Sequence, residues 1–205
     1  MLGFGLIGGS IARALRRGGD PADAAGLPGG PWTIAAWSPS GSGPRVALEA
    51  GVVDAAAPTA QGAVADADLV LLAAPPLACL DLIDALGAGE LRGALAHGTT
   101  VSDVASTKAA IVARASARGL AFVGGHPMAG RETDGVGAAS ADLFDGRPGV
   151  VIPGAGAGPR DVTRVDDLAR ACRARPLLMD AAAHDAAVAA ISHLPLVLSA
   201  ALVEA

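Results

Sequence analysis

The chain begins with Gly3-Phe4-Gly5-Leu6-Ile7-Gly8-Gly9-Ser10, a G-x-G-x-x-G pattern that runs into an amphipathic stretch. Such a loop makes a tight turn, lets the backbone approach a pyrophosphate, and directs a helix N-terminus at its negative charge. We expect a helix over residues 10–17. We also expect a bound dinucleotide to contact five loop residues, Gly3, Gly5, Leu6, Ile7 and Gly8. Only two residues precede Gly3, so the strand that should lead into the loop is nearly missing.

Beyond the glycine loop, strand patterns alternate with helix patterns. Apolar runs predict strands over residues 32–37, 68–74, 99–104 and 120–123, and helical patterns lie over residues 46–50, 77–86 and 107–118. A glycine- and proline-rich loop is expected over residues 18–31. This alternation predicts an α/β fold of the Rossmann type, with a doubly wound, mostly parallel sheet that binds ligands at the carboxyl ends of its strands.

The pattern changes in the last third of the chain. Two short strands over residues 149–152 and 176–179 flank a helix over residues 160–173, and an Ala/Leu/Val-rich helical stretch follows over residues 181–205. A helix that is apolar on most sides is buried against partner helices. We therefore expect a dinucleotide-binding domain over residues 1–180. Residues 181–205 are expected to be the first helix of a truncated, all-helical dimerisation domain.

The composition excludes several classes of function. The 205 residues are 52% hydrophobic and 17% charged, with a net charge of −5, which favours a globular protein and argues against a nucleic-acid-binding surface. Cys79 and Cys172 lack metal-ligand spacing, so no metal is expected. With no signal peptide visible, they indicate the cytoplasm. His193 and Pro195 interrupt the apolar C-terminal stretch, so no membrane partner is expected.

Two segments that follow predicted strands carry the candidate chemistry. Residues 101–108, Val-Ser-Asp-Val-Ala-Ser-Thr-Lys, offer hydroxyl groups and a cation, and residues 125–132 read Gly-His-Pro-Met-Ala-Gly-Arg-Glu. A dehydrogenase that oxidises an alcohol needs a base for the hydroxyl proton, and an imidazole suits that role near neutral pH. We expect His126 to be this base. We also expect the strand-end residues Ala74, Pro75 and Ser102 to border the cofactor.

Six short motifs follow one another along the chain. They are Gly5-Leu-Ile-Gly-Gly-Ser10, Ser102-Asp-Val-Ala-Ser-Thr-Lys108, Gly125-His-Pro-Met-Ala-Gly-Arg-Glu132, Leu143-Phe-Asp-Gly-Arg147, His184-Asp185 and Ile191-Ser-His-Leu-Pro195. In this set and order they closely resemble the prephenate/arogenate dehydrogenases of tyrosine biosynthesis, and the resemblance covers essentially the whole chain. The His-Pro-Met-Ala-Gly block is the most specific member of the set.

The resemblance implies an enzyme that oxidises and decarboxylates prephenate or arogenate. Hydride passes from the ring carbon that bears the hydroxyl to the nicotinamide of NAD or NADP, and CO2 leaves, giving 4-hydroxyphenylpyruvate or tyrosine. By similarity His126 matches the histidine that hydrogen-bonds the ring hydroxyl, Ser106 the serine that assists it, and His193 a second active-site histidine. Lys108, the only lysine, and Arg131 are candidate substrate contacts. The family's helical domain implies a homodimer.

Three positions depart from the family pattern. Ser38 stands where an NAD enzyme usually has an acidic residue, and Arg45 could pair with a 2′-phosphate, so both residues are candidate cofactor contacts and NADP is an alternative to NAD. Leu196 stands where the family has a further histidine. The family's arginine for the substrate carboxylate would lie beyond Ala205. An open alternative is therefore that the chain is a fragment and is inactive as it stands.

Simpler explanations stay open for individual residues and for the whole chain. His126 can be a structural histidine, Ser106 the N-cap of the helix that follows it, and His193 an interface residue. His184-Asp185 is interpreted as the start of the long helix. A non-catalytic or truncated nucleotide-binding paralogue, with a regulatory or structural role, is the alternative from another class. A dehydrogenase of the 3-hydroxyacid type is disfavoured, because its helix lysine has no counterpart in the right motif.

Overall fold

The computed structural model describes residues 1–17 and 31–204. Within these ranges the strands are β1 (Ala35–Ala36), β2 (Ala55–Ala56), β3 (Leu69–Leu72), β4 (Thr100–Asp103), β5 (Phe122–Pro127), β6 (Pro148–Pro153) and β7 (Arg175–Leu178). The helices are α1 (Leu6–Leu15), α2 (Ser42–Glu49), α3 (Ala60–Val64), α4 (Pro76–Ala88), α5 (Ala109–Ala117), α6 (Pro159–Ala171), α7 (Ala181–Val188) and α8 (Leu194–Glu204). The loop predicted over residues 18–31 lies, except for its last residue, outside the described residues.

Leu2 joins the strands into one sheet. β1 pairs with β2, and β3 to β7 form a second set in sequence order. Leu2 lies between these sets: its N–H donates to the Leu71 carbonyl at 2.8 Å, its own carbonyl accepts from Ala73 N–H at 2.7 Å, and Gly3 N–H donates to the Trp37 carbonyl at 2.9 Å. The order is therefore β2-β1-Leu2-β3-β4-β5-β6-β7, with one antiparallel step between β5 and β6. This order confirms the Rossmann-type prediction, and Leu2 occupies the place of the first strand.

Helices cover both faces of the sheet. α1 and α6 pack on one face, where Leu71 joins their core, and α4 and α5 pack on the other, where Val70 and Leu72 are buried. Successive strand side chains point to opposite faces, so the apolar run in β3 supplies both cores. With so few aromatic residues, the cores consist mainly of Ala, Val, Leu and Ile, with the three phenylalanines buried among them.

Several elements differ from their predicted bounds for local reasons. α1 begins at Leu6 rather than at residue 10, because Gly5 is its N-cap and the later glycines of the motif lie inside the helix. β2 and α3 are too short and alanine-rich to leave a periodic signal, and the sequence did not reveal them. β5 continues through Pro127, so His126 lies within the strand near its carboxyl end. α5 begins at Ala109 rather than at residue 107.

The C-terminal helical stretch is interrupted and largely uncovered. A π-helical segment, Ala189–His193, separates α7 from α8. Pro195, the second residue of α8, lacks an amide hydrogen and so removes one donor from the helix at this point. Contrary to the sequence expectation, Ala181–Val203 is long and apolar enough to cross a membrane by length and composition, although a core helix of a soluble protein passes the same test. Within the described chain only 6% of its most apolar window is buried.

Candidate active site

The glycine loop leaves the N-terminus of α1 open at the carboxyl edge of the sheet. Gly3 has a φ of +90°, and a Cβ there would lie 2.3 Å from the carbonyl oxygen of Ala73, so only glycine fits. At Gly8 a Cβ would lie 3.1 Å from the Ala73 Cβ. At Gly5, the N-cap, a Cβ would meet nothing within 4 Å. A tightly packed turn beside an open helix N-terminus suits a pyrophosphate.

The other predicted cofactor contacts on this side of the sheet divide into two groups. In the first group, Leu6 and Ile7 form the first turn of α1 and are half-buried. Ala74 and Pro75 follow the end of β3: Ala74 is half-buried, and Pro75, the N-cap of α4, is exposed. Ser102 differs, because its side chain is buried inside β4 and its Oγ has no hydrogen-bond partner among the described residues. The contact of Ser102 with the cofactor therefore stays a prediction.

The loop after β1 is polar, and the helix that follows it carries an exposed guanidinium. Ser38 is half-buried, and its carbonyl accepts from the N–H of Gly41, which has a φ of +65° and precedes α2. Ser40 and Ser42 join their hydroxyls at 2.9 Å. Arg45 is exposed on α2 and has no carboxylate within ion-pair distance in the described part of the chain. The residues after β1 therefore present hydroxyl groups and one cation, and no acidic residue lies between Trp37 and α2.

His126 is held near the carboxyl end of β5 by the two glycines that precede it. β5 runs so close to β4 that a Cβ at Gly125 would lie 2.6 Å from the Asp103 carbonyl oxygen. The Gly125 N–H also donates to Asp103 Oδ1 at 3.3 Å. On its other side β5 pairs with β6, with His126 opposite Val150. The strand thus fixes the backbone of His126 between two neighbours, and its half-buried ring lies at the edge where the glycine loop opens.

A chain of hydrogen bonds connects His126 to α7. His126 Nδ1 lies 2.8 Å from His184 Nε2, and His184 Nδ1 lies 2.8 Å from Asp185 Oδ1. The two rings meet edge to face, with centroids 5.0 Å apart. His193, in the π-helical segment, is half-buried and close enough for its charge to act on His126. The structure therefore joins His126 to His184 and Asp185, and places His193 on the π-helical segment that follows α7.

The surroundings of His126 favour its neutral form. Burial, followed by the charges of His184, Lys108 and His193, lowers the pKa of His126 to about 4, against the weaker opposing effect of Asp185. The imidazole is therefore uncharged at neutral pH and has a lone pair available to accept a proton. In the described ranges, no group of three or more His, Cys, Asp or Glu side chains could hold a metal ion.

A family model described as prephenate dehydrogenase, nucleotide-binding domain, matches residues 31–178. The chain belongs to the prephenate dehydrogenase family. A prephenate dehydrogenase of Bacillus subtilis is 31% identical over 99% of the chain and 52% of its own length. The chain thus spans about half the length of the curated relatives it matches.

Solved structures of the family superpose closely on this chain. An arogenate dehydrogenase of Synechocystis is 32% identical with a TM-score of 0.83, over 99% of this chain and 66% of its own. A prephenate dehydrogenase of Aquifex aeolicus, solved in complex with hydroxyphenyl propionate and NAD+, is 25% identical with a TM-score of 0.84, over 99% of this chain and 66% of its own. The Rossmann-type domain described above is therefore the nucleotide-binding domain of this family.

In this member of the family, Lys108 is a core residue. Its side chain is fully buried and its ammonium group is paired with the fully buried carboxylate of Asp103. The amides of Ala105 and Gly125 donate to the same carboxylate. The expectation that Lys108 contacts substrate is therefore corrected, since its charge is already satisfied out of reach of solvent. Its role is to hold the β4–α5 turn against β5.

Ser106 remains free for a ligand. It is exposed in the turn between β4 and α5, and it does not cap the helix. The first amides of α5 instead donate to Asp185 on α7, from Lys108 N–H to Oδ1 at 2.8 Å and from Ala109 N–H to Oδ2 at 2.9 Å. The capping explanation for Ser106 is therefore wrong. The serine lies after β4, the direct neighbour of the strand that carries His126.

Arg131 is exposed on the loop that follows β5. Its guanidinium lies 3.8 Å from Asp142 Oδ1 and donates to the Ala138 carbonyl at 3.5 Å, both at the outer limit of an interaction. A cleft of roughly 440 Å³ opens beside it and is also lined by Arg147 and Asp145. Such loose contacts leave the cation available to an anionic group.

Three residues of this site escaped the sequence analysis. His184 and Asp185 were interpreted only as the start of a helix, although an adjacent His-Asp pair within a family motif was a signal. Asp103 was visible as an acidic residue at the end of an apolar strand, five positions before the only lysine. What the sequence lacks is the contact between α7 and the β4–α5 turn, which joins residues 77 positions apart.

Proposed function

We propose that this chain is the nucleotide-binding part of an enzyme that oxidises and decarboxylates prephenate or arogenate with NAD or NADP. The observation that carries the proposal is the half-buried imidazole of His126 near the carboxyl end of β5, at the same edge of the sheet as the open glycine loop. The names of the relatives support this reaction, and the Aquifex structure in complex with NAD+ supports the cofactor.

The residues of the chain suggest how the proton is handled. When bound, an oxidised nicotinamide would supply the hydride acceptor for the ring carbon that bears the hydroxyl. His126 takes the hydroxyl proton as that carbon–oxygen bond gains carbonyl character. The bond from the ring to its carboxylate then breaks and releases CO2, and the electron pair of that bond stays behind and makes the ring aromatic as the oxygen takes a proton back. Ser106, exposed beside the neighbouring strand end, orients the hydroxyl toward His126.

Two side chains are proposed to hold the anionic groups of the substrate. Arg131 offers a guanidinium that its protein partners bind only loosely, and His193 approaches His126 from the C-terminal helices. Lys108 is not included, because its ammonium group is buried against Asp103. Whether prephenate or arogenate is preferred depends on the side-chain keto or amino group, and the relatives include enzymes named for each.

The loop after β1 supports NADP as well as NAD. Ser38 and its neighbours present no carboxylate that would repel a 2′-phosphate, and Arg45 is exposed beside them without an ion-pair partner in the described ranges. A guanidinium pairs strongly with phosphate. We therefore propose that the enzyme accepts NADP at least as readily as NAD.

The exposed apolar helices support a homodimer. The family model ends at residue 178, close to the proposed boundary at residue 180, and α7 and α8 follow it. Side chains such as Leu198 and Leu202 are mostly solvent-exposed, which is unfavourable for an apolar helix. A second copy of these helices would cover them. Two buried, unpaired cysteines fit the proposed cytoplasmic location.

The reaction is tested by mixing the full-length protein with prephenate or arogenate and with NAD or NADP, and following the absorbance of the reduced nicotinamide. Turnover in at least one of the four combinations is expected. The non-catalytic paralogue is favoured instead if the protein binds NAD(P) but turns over neither substrate in any combination.

A further inference from the structure

We propose that His184 and Asp185 are positioning residues that hold His126 in the tautomer whose Nε2 accepts the substrate proton. The juxtaposition that carries the proposal is the continuous chain Asp185 Oδ1, His184 Nδ1, His184 Nε2, His126 Nδ1, with 2.8 Å at both side-chain contacts. For its effect on catalysis, the proposal rests on the function proposed above. The tautomer itself is independent of that function.

The chain of hydrogen bonds starts from the carboxylate of Asp185, which can only accept hydrogen bonds. Asp185 receives the amides of Lys108 and Ala109 at the N-terminus of α5, together with His184 Nδ1. Burial alone would raise the pKa of Asp185, but the hydrogen bonds from Ala109, His184 and Lys108 outweigh it, and the pKa lies below its usual value. An ionised carboxylate has no proton to give, so His184 Nδ1 must carry the hydrogen in this contact.

The protons along the rest of the chain follow from that start. In the proposed chain His184 carries a single hydrogen, on Nδ1, so the lone pair of its Nε2 accepts from His126 Nδ1. His126 then has its own lone pair on Nε2, the nitrogen left for the substrate. When the substrate hydroxyl transfers its proton to this nitrogen, the O–H bond breaks and the N–H bond forms. The imidazolium keeps its Nδ1–H bond to His184 throughout.

Burial protects this chain from competition by water. His184 is 1% exposed, on the face of α7 that packs against the β4–α5 turn, so its two nitrogens have no alternative solvent partners. The charged or titratable groups that act on His126 are His184, Lys108, His193 and Asp185. Of these, only Asp185 favours the protonated ring, so it also stabilises the imidazolium formed during the reaction.

Asp185 also has a structural role, because it ties α7 to the N-terminus of α5. The test must therefore separate loss of a helix contact from loss of the tautomer. Asp180 offers a control at the start of the same helix: its carboxylate caps α7 by accepting from Ala183 N–H at 2.8 Å and, among the described residues, makes no hydrogen bond with a histidine side chain. Asp180→Asn weakens the hydrogen bond that caps α7 and leaves the side-chain hydrogen bonds from Asp185 to His126 in place.

The first measurement is the tautomer of His126 in the full-length protein, read from the 15N chemical shifts of its ring near neutral pH without substrate. The wild type and Asp180→Asn are expected to carry hydrogen on Nδ1. Asp185→Ala removes the oxygen that accepts from His184 Nδ1, so the preference of His184 for hydrogen on Nδ1 is lost and the Nε2-protonated form of His126 should appear. Hydrogen on Nε2 in the wild type, or an unchanged tautomer in Asp185→Ala, would overturn the proposal.

The second measurement is turnover as a function of pH. Asp185→Ala and His184→Leu are expected to lower kcat roughly 100-fold or more with little change in KM for the nucleotide, as for other groups that orient a catalytic base. His184→Gln keeps an acceptor for His126 Nδ1 and should recover about tenfold of that loss. Wild-type kcat in His184→Leu would contradict the proposal. If no variant, the wild type included, turns over substrate, the proposed function fails, while the ring shifts still decide the tautomer.

Discussion

At the scale of single residues, the pKa of His126 makes a prediction about pH. The burial and neighbouring charges that lower this pKa to about 4 keep the ring in its basic form down to that pH. If proton acceptance by His126 limits kcat/KM, activity is expected to persist well below the ordinary histidine pKa of 6.5 and to fall only as the pH approaches about 4. The measurement is kcat/KM against pH, with circular dichroism to confirm folding. An acid limb near pH 6.5 in the folded protein would contradict this description of the site.

The two glycines of the nucleotide loop are expected to respond differently to alanine. Gly3→Ala places a Cβ at a positive φ against the Ala73 carbonyl, so the folded state should lose about 2 kcal/mol or more. Gly5→Ala meets no protein atom, so thermal unfolding should change little, while the methyl group occupies the space proposed for the pyrophosphate and weakens NAD(P) binding about tenfold or more. Thermal melts and nucleotide titration distinguish the two. Unchanged affinity in Gly5→Ala would place the nucleotide elsewhere.

Arg45 is the residue that tests the choice between NAD and NADP. Arg45→Ala is expected to raise KM for NADP about tenfold, because an exposed guanidinium–phosphate contact is lost, and to leave KM for NAD nearly unchanged. Lys at this position keeps the charge and should recover part of the loss. Equal effects on both cofactors would show that Arg45 does not contact the 2′-phosphate.

At the scale of secondary-structure elements, the buried Lys108–Asp103 pair fixes the turn from β4 into α5. Removing one partner leaves a buried charge, so Lys108→Ala is expected to lower the free energy of unfolding by about 3–5 kcal/mol. The surface pair Arg170–Asp166 on α6 is the matched control, and Arg170→Ala should leave the free energy of unfolding nearly unchanged. Denaturant titration measures both. A small effect of Lys108→Ala would mean that water reaches the pair.

The strongest sequence signals came from elements with a regular pattern. Apolar runs such as the one that became β3, in alternation with helical patterns, were sufficient to predict the sheet, and the glycine motif predicted the turn that leads into α1. The alanine pair of β2 and the five residues of α3 were missed because neither is long enough to show a period. Within the site, His126 follows from its motif. The partnership of His184 and Asp185 depends on packing between distant segments, and the burial of Lys108 could not be read from its neighbours.

At the scale of the whole molecule, the apolar helices α7 and α8 predict self-association. Leu198 and Leu202 lie one helical turn apart on an uncovered surface, so Leu198→Glu and Leu202→Glu together should convert the proposed dimer of the full-length protein into a monomer. Leu77 on α4 is 77% exposed and provides a control, since Leu77→Glu should leave the dimer intact. Light scattering after size exclusion gives the mass. A monomeric wild type at micromolar concentration would contradict the proposal.

The central claim is that His126 is the base of a nicotinamide-dependent oxidation on this sheet edge. The most direct test compares the full-length wild type with His126→Asn, measuring both the dissociation constant of NAD(P) and the single-turnover rate of nicotinamide reduction by prephenate or arogenate. The claim predicts a rate lowered about 10²–10⁴-fold with nucleotide affinity unchanged, because an amide cannot take up the hydroxyl proton. A rate equal to that of the wild type would contradict it.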